Sequence, residues 1–496
     1  MCSRAGRSCD FYHFGESMNS LKPLQWAGIV LGVSLVLYFV YYHLQYFGDV
    51  SLLGAVLLLE IIIISLWKYD QRFFVLLIIT FLWAGLRIPL QSAGSLGRWV
   101  VLAAGAMAGF IVWIKTPRQP FRAIHLIAFF CICAAFVSAT VSPFFQMASL
   151  KALSLALLFL YCASGARLAV LGREDRFFHG LIWGCEIAVY TSAICYLGLG
   201  SSIWGNPNSL GAAMSIGVFP ILLWGWLTSD GPIVKIRRLV ALLLCAYLVR
   251  SSMSRAAMIT VALVTIVFCL CLHRYKLLVK ITATVLFLVA AAGMLAPESL
   301  NRQLEDFKDA FLYKGHKDEG IMGSRRGPWE QSIASIKEHP LFGTGYGTSP
   351  TGVDPGLHFG KISSTSETER EHGSSYITIA EWVGLLGVMP FVALLALALS
   401  NVWKVCALMS RTANPRYYSI PLAMVMLAGF VHAGFEDWLF AVGSYLALFF
   451  WVCTFQLADL VPDADSAATV SPSLRIPHSL PADYGAVVSN PVVSNR

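Results

Sequence analysis

Charged residues are scarce in this sequence. Asp, Glu, Lys and Arg make up 13% of its 496 residues, while 57% are hydrophobic. The charged share is about half the usual quarter of a soluble domain. These charges are too few to cover a soluble protein of this length, and a disordered chain would be far less apolar. The composition therefore predicts a polytopic membrane protein. In such a protein the net charge of +8 bears on topology, and we expect no nucleic-acid partner.

The sequence also lacks the patterns of a disulfide-built or metal-binding protein. None of its 12 cysteines falls in the long outer segment 297–373, which excludes a disulfide scaffold there. No H-E-x-x-H motif and no Cys/His cluster with zinc spacing occurs. We therefore expect no metal site and no cofactor.

Long apolar runs predict an all-α fold. A helix needs roughly 17–25 apolar residues to cross a membrane, and these runs are continuous and rich in Leu and Ala rather than alternating. Two runs are less clear than the others, so we predict 12–14 transmembrane helices. The runs are 24–47, 50–67, 73–90, 98–114, 123–141, 149–166, 178–200, 208–228, 237–250, 255–272, 277–296, 374–400, 418–434 and 438–459.

The distribution of positive charge gives the orientation of these helices. With a cytoplasmic N-terminus, the inner segments hold 20 Lys and Arg, and the short outer connections hold four, namely Arg98, Lys151, Arg250 and Arg255. This alternating bias follows the positive-inside rule. It predicts a multi-pass membrane protein with both termini in the cytoplasm.

The runs divide the chain into five predicted segments. These are a cytoplasmic N-terminal segment at 1–23, transmembrane helices 1–11 at 24–296, a large outer loop containing short helices at 297–373, transmembrane helices 12–14 at 374–459, and a disordered cytoplasmic tail at 460–496.

The large loop is net acidic, yet it contains the tandem pair Arg325-Arg326. Positive charge on the outer side opposes the topological trend, so it calls for a functional reason. Pro328 suits the first turn of a helix, and Pro340 ends it. The following Gly343-Thr-Gly345-Tyr-Gly347 has no strand before it and no Lys-Ser/Thr after it, which favours a flexible turn over a phosphate cradle.

Charges at the outer membrane face are the candidate site residues, because charge within or beside the hydrocarbon is costly. Arg255, one of Arg325 and Arg326, and His372 all fall at outer helix ends. Two arginines can hold a diphosphate through charge-assisted hydrogen bonds, and a histidine can accept a proton from a hydroxyl nucleophile. Further polar residues near the face or within the apolar runs are Arg250, Glu381, His432 and Glu436-Asp437, whereas Glu60, Arg87 and Glu186 are expected to be structural.

Four stretches, in this order, resemble the O-antigen ligase / O-antigen polymerase superfamily of bacterial membrane glycosyltransferases. They are Gly205-Asn206-Pro207-Asn208-Ser209-Leu210-Gly211; Ser252-Met-Ser254-Arg255-Ala-Ala; Arg325-x-x-x-Trp329 with Glu338-His-Pro340-Leu-Phe-Gly343-Thr-Gly345-Tyr-Gly347; and His372-Gly-x-x-Tyr-x-x-x-x-Glu381. Gly373 stands where the family usually has Asn.

The resemblance implies transfer of a glycan from undecaprenyl diphosphate to an acceptor hydroxyl on the periplasmic face of a bacterial inner membrane, with inversion at the anomeric carbon. The large loop at 297–373 would then be periplasmic. No metal is needed if the arginines neutralise the diphosphate. It implies that Arg255 and Arg325 bind the diphosphate and that His372 activates the acceptor. Arg326 beside Arg325 leaves the choice of arginine open. The remaining candidates for substrate binding are Arg326, Arg250, Trp329, Asn208 and Glu381.

The expected partners are an undecaprenyl-diphosphate-linked oligosaccharide or polysaccharide, a glycan or lipid A-core acceptor, and membrane lipids. A ligase would use a lipid A-core sugar as acceptor, and a polymerase would use another repeat unit, so both functions stay open. A transporter or flippase of lipid-linked sugars is the alternative from a different class. It would be expected to have two repeated halves, and no internal repeat is visible in the sequence.

Overall fold

The computed structural model describes residues 70–86, 91–115, 121–200, 203–295, 323–349 and 372–461. Several sequence predictions lie outside these residues, namely the segment 1–23, the spans 24–47 and 50–67, Glu60, Arg87 and the tail from residue 462. Within the described ranges every regular element is helical.

We number the helices α1 to α15 along the chain. They are α1 (Asp70–Gly85), α2 (Gln91–Lys115), α3 (Ala123–Thr140), α4 (Phe145–Ala163), α5 (Gly165–Val170), α6 (Glu174–Ala193), α7 (Pro207–Ala212), α8 (Phe219–Leu227), α9 (Pro232–Ser251), α10 (Arg255–Cys271), α11 (Tyr275–Leu295), α12 (Gly323–Glu338), α13 (Ser375–Thr412), α14 (Ser419–Ala433) and α15 (Tyr445–Leu460). Short π-helical turns, Ile194–Gly198 and Ala213–Val218, extend α6 and join α7 to α8.

Six helical segments in the described part of the chain are long and apolar enough to cross a membrane. They are Gly97–Ile114, Ala123–Thr140, Phe145–Val170, Glu174–Gly198, Pro207–Leu227 and Ser375–Thr412, and four further apolar helices are shorter. The predicted all-α polytopic membrane fold is thus confirmed. The number of 12–14 spans stays a prediction.

Two of the motifs noted in the sequence form capped helix starts. The side chain of Asn206 accepts a hydrogen bond from the backbone N–H of Ser209 at 2.7 Å, and Pro207 occupies the first turn of α7. Ser254 likewise accepts from the N–H of Ala257 and begins α10. Such caps satisfy donors that a helix start leaves unpaired, so both motifs place their polar residues at one end of a helix.

Helix α14 lies in the centre of the bundle and is buried around nearly its whole circumference. It packs against α15, whose Phe450, Trp451 and Phe455 are fully buried. At one end of the bundle, Arg167 donates two hydrogen bonds to Asp459 near the end of α15, and its guanidinium carbon lies 4.0 Å from the ring centroid of Trp113. This end of the bundle is therefore fixed by a paired, buried charge.

Charges elsewhere in the bundle also have structural partners. At the opposite end, Arg98 donates to the carbonyl of Gly443 at 2.8 Å, and Lys151 donates to the carbonyl of Gly347. Glu186 is buried and pairs with Arg237 at 3.1 Å, which agrees with its predicted structural role.

The last two predicted spans differ from the observed helices. The span predicted at 438–459 begins as a helix only at Tyr445, because residues 434–444 fold back over the start of α13 as a turn whose polar groups bind that helix. The span predicted at 374–400 continues to Thr412. It is also interrupted at Gly384, whose backbone has φ 67° and ψ 179°.

Two helix starts also need correction. Pro328 lies inside α12 rather than in its first turn, because the helix begins earlier, at Gly323. The turn that precedes Pro328 contains Arg325, which donates a hydrogen bond to Glu436. The short span predicted at 237–250 is a helix of 20 residues, Pro232–Ser251. It includes Arg237, whose charge is balanced by Glu186.

Candidate active site

The site lies where α13 is broken. At Gly384 the chain leaves the helical conformation, so backbone groups on either side lose their partners within the helix. In an apolar environment such groups must find other partners. They find them in residues 340–349, the segment that follows α12.

The contacts between the break and this segment run in both directions. The carbonyls of Glu381 and Trp382 accept from the backbone N–H groups of Thr344 and Gly345, at 3.0 and 3.1 Å. The N–H of Leu385 in turn donates to the carbonyl of Pro340 at 2.8 Å. Further along the segment, the hydroxyl of Thr348 lies 2.9 Å from that of Ser142.

The prediction of a flexible turn at Gly343–Gly347 is therefore wrong. Residues 343–349 are all buried, and Gly343, Gly345 and Gly347 have positive φ angles of 73°, 107° and 73°. Glycine adopts this conformation without the steric cost that other residues meet. The glycines let the backbone pack directly on the broken helix, which holds the segment in one position.

His372 is the centre of the site. It precedes α13 and is 2% exposed. Its Nδ1 lies 3.2 Å from Oδ2 of Asp437, which also accepts from the backbone N–H of His372 at 3.1 Å. The other ring nitrogen, Nε2, lies 2.8 Å from the hydroxyl of Ser349 and 3.6 Å from a carboxylate oxygen of Glu381. A carboxylate on Nδ1 favours the tautomer with its proton there, which leaves Nε2 as a proton acceptor.

The surroundings of His372 also set its proton affinity. Burial lowers the pKa of the imidazole, but the hydrogen bonds and charges of Asp437 and Glu381 raise it by more, so the pKa lies above its ordinary value. Burial raises the pKa of Asp437, yet its hydrogen bonds to His372 lower it by more, so that pKa lies below its ordinary value. The pair therefore stabilises an imidazolium beside a carboxylate.

Arg325 lies beside this histidine. Its side chain is 10% exposed, and its Nη2 donates to Oε1 of Glu436 at 2.6 Å. Gly373, with φ 71°, faces the guanidinium so closely that an added Cβ would lie 3.3 Å from both Nη1 of Arg325 and Nε1 of Trp329. Trp329 Nε1 is buried and has no hydrogen-bond acceptor among the described residues. Arg325, Trp329 and His372 were predicted to belong to one site, and in the structure they lie close together around Gly373.

Arg255 is half-buried at the start of α10, and its charge interacts with that of Arg325. Helix α10 packs against both α13 and α14, which brings its N-terminus to this end of the bundle. The segment containing Asn208 packs beside it, since a Cβ on Gly211 would meet the side chains of Ser252, Ser254 and Ala257. Asn208 itself is half-buried on α7.

Two candidate arginines lie apart from this cluster. Arg326 points to the surface of α12 and pairs with Glu330 at 2.8 Å, and the two side chains are 71% and 63% exposed. Arg250 is exposed at the end of α9, where its Nη1 lies 3.0 Å from the sulfur of Met253. The geometry therefore favours Arg325 over Arg326 as the arginine of the site.

Three residues of the site were missing from the set predicted by sequence. Glu436 and Asp437 were noted only as an outer turn, although they bind Arg325 and His372. These two acidic residues were predicted to lie on the same outer face as the arginines, which could have indicated an ion pair. Ser349 had no signal of its own, because serine is ordinary in a polar loop.

The fold and the site define an all-helical, multi-pass membrane protein with a buried His–carboxylate pair and an arginine at a helix break. Residues 240–392, which include Arg255, Arg325, His372 and Glu381, match a protein-family model described as O-antigen ligase. The match confirms the resemblance found in the sequence and supports the O-antigen ligase / polymerase superfamily for this chain. No curated protein matches the chain.

Proposed function

We propose that this protein transfers a glycan from undecaprenyl diphosphate to an acceptor hydroxyl on the periplasmic face of the inner membrane, as an O-antigen ligase. The observation that carries the proposal is the placement of His372, oriented by Asp437 through Nδ1, beside Arg325. Both residues lie within the part of the chain that matches the O-antigen ligase family.

The proposed chemistry needs a base and a binding site for the leaving group. His372 is the base that gains a proton as the acceptor hydroxyl loses one and its oxygen attacks the anomeric carbon. The bond from that carbon to the diphosphate oxygen breaks, and the electron pair leaves with the diphosphate. Asp437 stabilises the imidazolium that forms, and attack from the face opposite the leaving group inverts the anomeric carbon.

Arg325 and Arg255 are proposed to bind the diphosphate, whose charge grows as it leaves. The electrostatic interaction between these two arginines supports this role, because two neighbouring positive charges are relieved by an anion between them. Trp329 Nε1–H is proposed as a further donor, since it faces the same position at Gly373. Glu381 is proposed to assist His372 rather than to contact the diphosphate.

The test uses His372→Ala and Arg325→Ala in cells that lack the chromosomal gene. We expect both variants, at normal membrane levels, to abolish the mature surface polysaccharide on gels and to accumulate the lipid-linked glycan on the periplasmic side. Wild-type polysaccharide in both variants would refute the proposal. Accumulation on the cytoplasmic side would instead favour a flippase.

A repeat-unit polymerase would use the same residues, so it is separated by its acceptor. The purified protein is supplied with the lipid-linked repeat that accumulates in the deletion strain. Chain growth without any other acceptor would identify a polymerase. Transfer that requires an added lipid A-core acceptor would identify a ligase.

A further inference from the structure

The hydroxyl of Ser349 occupies the reactive side of His372. Ser349 is fully buried, and its Oγ lies 2.8 Å from Nε2 of His372. On its other side, the same oxygen accepts a hydrogen bond from Nε1 of Trp382 at 3.3 Å. An acceptor hydroxyl therefore cannot reach the lone pair of Nε2 while Ser349 holds this position.

The direction of these hydrogen bonds follows from the groups involved. An indole N–H can only donate, so Trp382 donates to Ser349. Asp437 favours the proton on Nδ1 of His372, which leaves Nε2 as an acceptor, so the Ser349 O–H donates to it. The chain of bonds runs from Trp382 through Ser349 and His372 to Asp437. One lone pair of the serine oxygen is left to accept a further hydrogen bond.

Ser349 is also held firmly in place. It lies in the segment 343–349, whose residues are all buried and which is attached to the broken helix through Thr344 and Gly345. The ring of His372 is fixed as well, because it packs edge-to-face on Trp382 with centroids 5.8 Å apart. A substrate that displaced Ser349 would have to break several of these contacts at once.

We propose that Ser349 is a catalytic residue that relays the proton from the acceptor hydroxyl to His372; this rests on the proposed transferase function. The acceptor hydroxyl donates its hydrogen bond to the remaining lone pair of Ser349 Oγ. As the acceptor oxygen bonds to the anomeric carbon and the diphosphate leaves, its proton passes to Ser349. The original hydroxyl proton of Ser349 passes to Nε2 of His372, so Ser349 ends the step unchanged.

A proton relay and a serine that only fills space predict opposite changes in rate when the hydroxyl of Ser349 is removed. If Ser349 only blocked His372, its removal would open Nε2 to the acceptor and would preserve or increase the rate. If Ser349 relays the proton, its removal leaves a gap between acceptor and base. General base catalysis is worth roughly 10²–10⁴ in rate, so we expect Ser349→Ala to lower kcat by about 100-fold, with little change in KM for the donor.

The experiment compares four purified variants with the wild-type protein in lipid nanodiscs. The donor is the undecaprenyl-diphosphate-linked glycan extracted from the deletion strain, the acceptor is the one that supports turnover of the wild-type protein, and release of undecaprenyl diphosphate is measured. The variants are Ser349→Ala, Ser349→Cys, His372→Ala and Ser142→Ala. Ser349→Cys keeps an exchangeable proton at nearly the same volume, and Ser142→Ala is the matched control, because it deletes a buried hydroxyl that contacts the same segment at Thr348.

The relay is supported if Ser349→Ala and His372→Ala are both slow while Ser349→Cys recovers at least tenfold over Ser349→Ala and Ser142→Ala stays near wild type. Wild-type or faster turnover by Ser349→Ala, with His372→Ala inactive, overturns the relay and leaves the transferase function intact. Equal loss in Ser349→Cys and Ser142→Ala also overturns it, because the defect is then one of folding. An active His372→Ala variant would refute the proposed function itself.

Discussion

Arg325 donates from Nη2 to Oε1 of Glu436 at 2.6 Å, although 111 positions separate them in the sequence. The arginine proposed to bind a diphosphate thus already binds a carboxylate of the protein. The two side chains are only 10% and 20% exposed, so water screens this pair incompletely. Glu436 therefore offsets the charge of Arg325 and competes with an anionic substrate for it.

This competition gives the first prediction. Glu436→Gln keeps a hydrogen-bond acceptor for Arg325 and removes the negative charge. We expect the KM for the lipid-linked donor to fall roughly fivefold, on the order of 1 kcal/mol, the size of a partly exposed charge pair. Steady-state kinetics with the extracted donor measure it, with Glu330→Gln on the exposed face of α12 as the control. An increased KM would mean that Glu436 positions Arg325 for the substrate instead.

The second prediction separates the tandem arginines. Arg325→Ala removes a buried guanidinium from the site, and hydrogen bonds to charged groups are worth about 1.5–3 kcal/mol, so we expect at least a tenfold loss of kcat/KM. Arg326→Ala removes an exposed pair with Glu330, of a kind worth roughly 0.3–0.5 kcal/mol, and we expect activity within about twofold of wild type. Equal effects of the two substitutions would contradict this assignment.

The third prediction concerns pH. His372 must be neutral to accept a proton, so activity is lost as pH falls through its pKa. Because that pKa is raised by Asp437 and Glu381 beyond what burial takes away, we expect the acid limb of kcat to have its midpoint above 6.5, the ordinary value. Asp437→Asn removes one of the causes that raise the pKa, so the midpoint moves to lower pH.

Asp437→Asn is also expected to lower the maximal rate, because the amide no longer favours the tautomer with a proton on Nδ1. A pH–rate profile of both proteins, measured at saturating donor, separates the two effects. Ser142→Ala is again a suitable control for loss of a buried hydrogen bond elsewhere. An acid midpoint that does not move in Asp437→Asn would exclude His372 as the titrating base.

Sequence reasoning succeeded for features that are local in the chain. Apolar runs predict helices because each helix satisfies its own backbone. The described apolar helices fall on the predicted runs, although α9, α13 and α15 have other bounds, and α12 lies in the predicted loop. The four motifs predicted that Arg325, Trp329, His372 and Glu381 share one site. The caps at Asn206 and Ser254 also follow from neighbouring residues.

The features that could not be predicted from the sequence depend on residues that are far apart in the chain. The apolar run of α13 continues across Gly384, and only its contacts with residues 340–345 show that the helix can break there. Similarly, Asp437 is 65 positions from His372, and nothing near either residue specifies the other. Ser349 became a candidate only through its distance from Nε2.

The last prediction tests whether the break in α13 holds the site together. A Cβ at residue 384 would collide with the carbonyl of Leu341 and the amide nitrogen of Gly343, and the residue has φ 67°. With ψ at 179°, this backbone conformation is essentially restricted to glycine and costs another residue roughly 1–3 kcal/mol, and overpacking adds about 1–3 kcal/mol. We therefore expect Gly384→Ala to destabilise the protein by at least about 2 kcal/mol.

Thermal unfolding in detergent, followed by size-exclusion chromatography, measures this loss. The matched control is Gly180→Ala in α6, where an added Cβ meets no atom within 4 Å. Because Ala favours a helix more than Gly does, we expect this substitution to raise the free energy of unfolding by no more than about 1 kcal/mol. If residues 340–349 form the wall of the site, we expect Gly384→Ala to lose turnover even at temperatures where the protein stays folded. The reason is that the carbonyls of Glu381 and Trp382 would no longer hold the segment that carries Ser349. A folded Gly384→Ala protein with wild-type turnover would show that the site does not depend on this break.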